Sequence, residues 1–172
     1  VRKVFRATYG DSTAIEGREV PIHVVDDFDH LDYSSVYEGR SPRHANEISI
    51  GSQAAKSFGK QVGDTITVSG SSGSEDFLIV GLVQSVSGLG FLSELTIEGY
   101  QRIDKSFEPK DLAIYVDDTA DITKVMDTLQ DELGGQASSV VNYDEFIKAA
   151  TRIYLSMLDA MSWGIIALTA LV

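Results

Sequence analysis

The sequence predicts an α+β fold, on two observations. Near the C-terminal end, "DLAIYVDD" alternates Leu112, Ile114 and Val116 with Ala113, Tyr115 and Asp117, the period of a half-buried strand. "TADITKVMDTLQDELGG" follows with Ile122, Val125, Met126, Leu129 and Leu133 at helical spacing. Thr119 or Asp121 stands where a helix N-cap belongs, Gly134-Gly135 where a helix ends, and "ASSVVNY" then reads as another strand. A strand–helix–strand unit lays a helix over one face of a sheet. The second observation is the middle of the chain, where short strands joined by Gly-rich turns read as a small curled β lobe inserted between α+β flanks.

The elements follow in order. "VRKVFRATYG" and "REVPIHVVDDF" read as strands, the second alternating Val20, Ile22 and Val24 before Asp26-Asp27 end it. "EISI" is a short strand, "GSQAAKSFG" a short helix closed by Gly59, and "VGDTITVSG" a turn into a strand. "SGSSGSED" has the composition of an exposed hairpin tip, "FLIVGLVQSV" is a longer apolar strand, and "TIEGYQRI" a short helix. From Asp144, a plausible N-cap, Phe146, Ile147, Ala150, Ile153, Tyr154, Met157, Leu158 and Met161 keep one helical face apolar. From Ala160 onward no residue carries a charge. A spanning helix needs roughly 20 apolar residues, and a run of about 10–14 is usually a core helix. Trp163 to Val172 is read as the first part of a membrane span, with a buried C-terminal helix as the alternative. Trp163 suits an interfacial aromatic belt, and Tyr154 reads as a core aromatic.

Composition narrows the function. The 172 residues fit one domain or two small lobes. A net charge of −12, from 14 Lys+Arg against 26 Asp+Glu, argues against a nucleic-acid partner and against adsorption to anionic lipid. With no cysteine there is neither a disulfide framework nor a thiolate metal site. "VRKVFRATYG" lacks the apolar core of a signal peptide, so export would depend on a segment upstream.

Motifs for chemistry are weak. "YGDSTA" contains Gly-Asp-Ser and "DFDH" contains Asp-x-x-His, but no His follows His44, the wrong order for a GDSL-type hydrolase. Asp26, Asp27, Asp29 and Asp32 do not follow the spacing of a helix–loop–helix calcium site, and no Gly falls within that run. His23, His30 and His44 lack zinc spacing. "FGKQVGDT" has a Gly-Lys pair without the remainder of a phosphate loop, and "SGLGFL" reads as a turn. The acidic run is expected to be a solvated loop. No catalytic, cofactor-binding or metal residue is assigned, and the chain is expected not to be an enzyme.

One ordered series remains. It comprises Glu38-Gly39-Arg40-Ser41-Pro42, Asn46-Glu47-Ile48, a helix with Ala54, Ala55, Phe58 and Gly59, the turn and strand from Val62 to Val68, and Val80-Gly81 to Val83. Gly59 suits a left-handed helix end, Gly63-Asp64 a tight turn, and Arg40 and Glu47 an ion pair that, if exposed, contributes about 0–1 kcal/mol. This series, over roughly residues 38 to 86, resembles the extracytoplasmic domain of FtsX-like and MacB-like ABC transporter permeases. The resemblance implies a porter-like α+β lobe from residues 1–37 and 101–150 and an inserted β-rich lobe from 38–100. Residues 151–172 would lead into a truncated transmembrane segment. It implies a cell-membrane protein with this domain outside, coupling ATP hydrolysis to movement of a peptide, lipoprotein or amphiphile. Its partners would be a separate cytoplasmic ATP-binding subunit or domain and a second permease copy or homologous half. The alternative in the same family is a regulatory outer domain that activates a cell-wall hydrolase or sensor kinase.

Overall fold

The computed structural model describes residues 2–10, 13–31, 36–84, 87–135, 137 and 139–169. Its strands are β1 (Lys3–Gly10), β2 (Ala14–Ile15), β3 (Arg18–Glu19), β4 (Ile22–Val25), β5 (Val36–Gly39), β6 (Glu47–Gly51), β7 (Thr65–Gly70), β8 (Gly73–Val83), β9 (Ser93–Thr96) and β10 (Leu112–Tyr115). The helices are α1 (Ser52–Phe58), α2 (Ile97–Tyr100), α3 (Ile122–Leu133) and α4 (Tyr143–Thr169). The chain divides into two compact units, Val1–Tyr115 and Val116–Val172. The fold is α+β, as the sequence predicts, and the strands form one curled sheet.

All the strands belong to the first unit, in the order β10-β1-β4-β9-β6-β8-β7-β2-β3, with β5 added on β8. β8 makes the curl. Its first half pairs with β7 from Gly73 to Leu78, and its second half pairs with β6 and β5 up to Val83. One apolar strand thereby joins a hairpin to the sheet centre and encloses a core of Ile15, Ile22, Val24, Ile48, Ile50, Ile66, Val68, Phe77, Ile79, Leu95 and their neighbours. β4 is buried on both faces. Ile22 and Val24 enter that core, while Val25 meets Phe5 and Phe28 in a second cluster on the opposite face.

Local chemistry accounts for the turns. Gly59 ends α1 in the left-handed region at φ 63° and Gly134 ends α3 at φ 52°, both as read from the sequence. Asp121 caps α3 by accepting from the Lys124 N–H, and Asp64 accepts from the Gln61 N–H across the turn at Gly63. The Ser71-Ser72 hairpin tip is tied down at its base: the Ser72 N–H donates to the Ile103 carbonyl at 2.8 Å.

Four expectations need correction. "ASSVVNY" is not a strand: residues 139–142 carry no regular structure, and Gln136 and Ser138 lie outside the described residues. A strand exists only against a partner, and the unit Val116–Val172 has no other strand among its described residues. β10 is inverted, because Ala113 and Tyr115 pack against Phe5, Val25 and Phe28 while Leu112 is exposed. Antiparallel register with β1 sets Ala113 beside Phe5, so the buried Phe5 decides which face turns inward. The last helix, α4, is capped by Asn142, whose Oδ1 accepts from the Glu145 N–H, and not by Asp144. On α4, Phe146, Ile153, Tyr154 and Trp163 are exposed, so Tyr154 is not a core residue. No helix among the described residues is long and apolar enough to cross a membrane, and residues 170–172 of the expected span lie outside them.

Two glycines on facing strands bring β5 and β8 into close approach. A Cβ on Gly81 would lie 2.2 Å from the Arg40 carbonyl oxygen, and one on Gly39, at φ 76°, would lie 2.2 Å from that of Val80. Nothing near either contact is a flexible side-chain tip, so the backbone itself would have to part. Gly81→Ala should therefore cost about 3 kcal/mol or more in urea unfolding followed by circular dichroism. Gly63→Ala, at φ 96° with open space around it, should cost only about 1 kcal/mol. Equal losses at the two positions would show that the β5–β8 approach carries no special weight.

Candidate functional site

The ordered sequence series converges on one corner of the sheet, where the chain passes from β5 to β6. Arg40 follows the left-handed Gly39 and is fixed by its backbone: its N–H donates to the Val80 carbonyl at 2.9 Å, and its carbonyl accepts from Ser49 Oγ at 3.1 Å. The buried Pro42 turns the chain next. Glu47 opens β6 with its carboxylate pointing back into this loop. Arg40 Nη2 donates to Oε1 at 2.6 Å and Nη1 to Oε2 at 2.7 Å, a two-pronged pair. The backbone N–H groups of Arg43 and His44 add donors to Oε2 at 2.9 and 3.3 Å.

The sequence pairs Arg40 with Glu47 but treats the pair as an exposed one. In the structure Glu47 is only 6% exposed at its side chain and Arg40 is 42% exposed. Burial alone would raise the Glu47 pKa. Hydrogen bonds from Arg40, with those of the Arg43 and His44 backbone, overcome it and hold the carboxyl down at about 2. This is a structural clasp, in which the carboxylate accepts four hydrogen bonds from its own loop.

The other candidate residues divide in the same way. Asp27 accepts from the Asp29 N–H to cap a short 3-10 turn at Phe28–His30, Asp26 accepts from the Arg6 N–H, and Asp29 pairs with Arg43 at 3.4 Å. The run expected to be a solvated loop is thus a capped turn tied to the corner, and its Asp32 lies outside the described residues. Asp11 and Ser12 of "YGDSTA" lie outside them too. No group of three or more metal-ligating side chains occurs among the described residues. An open cavity of about 430 Å³ is lined by Gly10, Thr13, Glu19, Val20 and Pro21, and these described residues include no nucleophile–base pair.

Sequence reasoning missed one polar row. Tyr9, His23, Glu94 and Ser49 are successive register partners across β1, β4, β9 and β6, on the face opposite the main core. Glu94 and Ser49 are buried. The signal was available in "FLSELTI", an acid placed within an apolar run.

A family model for the MacB-like periplasmic core domain matches residues 1–132. The chain belongs to that family. A crystal structure of the periplasmic region of MacB from Actinobacillus actinomycetemcomitans is similar in fold, with a TM-score of 0.60 and 10% identity, over 88% of this chain and 76% of that one. No curated protein matches the chain. A MacB-like periplasmic core domain is the extracytoplasmic part of a MacB/FtsX-like ABC transporter permease, a membrane protein family that works with an ATP-binding partner and generally as a dimer. Every residue of the clasp falls inside the matched segment, so within it the signature residues Gly39, Arg40, Glu47 and Gly81 serve the fold.

The clasp fixes how stability should depend on acid. The folded pKa of Glu47 lies below its ordinary value of about 4.5, so its contribution is complete above that pH and is lost as pH falls toward about 2. The shift corresponds to a contribution on the order of 3 kcal/mol. Glu47→Gln should be less stable than the parent by about 2–3 kcal/mol at pH 7, with the two converging below pH 3. Urea denaturation at a series of pH values measures both, and parallel curves would refute the assignment.

Proposed function

We propose that this domain couples ATP hydrolysis on the cytoplasmic side to movement of a substrate on the extracytoplasmic side, without catalysing a reaction itself. The family match over residues 1–132 carries the reading. Supporting it, the buried Glu47 carboxylate at that corner accepts four hydrogen bonds from its own loop and so serves the fold. The substrate class is a peptide, lipoprotein or amphiphile. The partners are a separate ATP-binding subunit or domain and a second permease copy or homologous half. In this reading the segment from Trp163 onward enters the membrane.

Location is tested by labelling. Lys56 is exposed on α1, and the chain has no cysteine of its own. Lys56→Cys in the full-length protein, with any other cysteines replaced, should react with a membrane-impermeant thiol reagent on intact cells. Reaction only after lysis would place the domain on the wrong side.

Coupling is tested through α4, which runs unbroken for 27 residues, about 40 Å of rigid rod. Proline at Ala150 removes a backbone hydrogen bond and clashes with the preceding turn, costing about 3 kcal/mol or more and kinking the helix. Ala150→Pro should retain ATP hydrolysis in the assembled transporter while substrate movement is lost, at matched expression. Undiminished transport would exclude α4 as the coupling rod.

A further inference from the structure

We draw no further inference here: the strongest candidate, the exposed apolar stripe along α4 that runs from Tyr143 through Phe146, Ile153 and Met157 to Met161, carries none because nothing among the described residues shows what covers it.

Discussion

Glu47 is a carboxylate taken out of water at the first residue of a central strand. Burying such a charge costs several kcal/mol unless its lone pairs are met. Here four donors meet them, two from Arg40 and two from backbone N–H groups of the intervening loop. The loop from Arg40 to His44 must therefore fold back on β6, and that return sets where β6 begins between β9 and β8. The close approach of Arg40 to Gly81 fixes the same corner from the β8 side. Charge and sterics act on one residue, Arg40, through its side chain and its carbonyl.

This arrangement gives the short ordered series a structural reason that needs no ligand. Gly81 is distant in sequence from Gly39, Arg40 and Glu47 but meets them at one corner, so a side chain at Gly81 would press on the Arg40 backbone that positions the pair with Glu47. Such residues identify an architecture.

What was legible in the sequence follows the same logic. α1 with its Gly59 terminus, the Asp64 turn and the Asp121 cap were readable because their determinants lie within a few residues of one another. β10 was read with the wrong face inward because the decision rests with Phe5, more than a hundred positions away. "ASSVVNY" has strand propensity and no described partner in its unit, and propensity without pairing makes no strand. At the clasp, the pair was visible but its burial was not, since desolvation depends on what packs around Glu47 and not on the spacing of two charges.

The parallel pairing of β4 with β9 has a consequence for how the domain is made. Ile22–Val25 wait for Ser93–Thr96, about seventy residues later, and β1 waits longer still for β10. Loop closure over such separations is slow, and contacts of this kind lower folding rates. The antiparallel pairing of β1 with β4 is local in sequence, but the other edge of each strand stays open until β10 and β9 arrive. The hairpin of β7 and β8, closed by the two residues Ser71 and Ser72, is the longest ladder between sequence neighbours. Local ladders of this kind close at little entropic cost, and the long-range pairs β4–β9 and β1–β10 carry the slow part of folding.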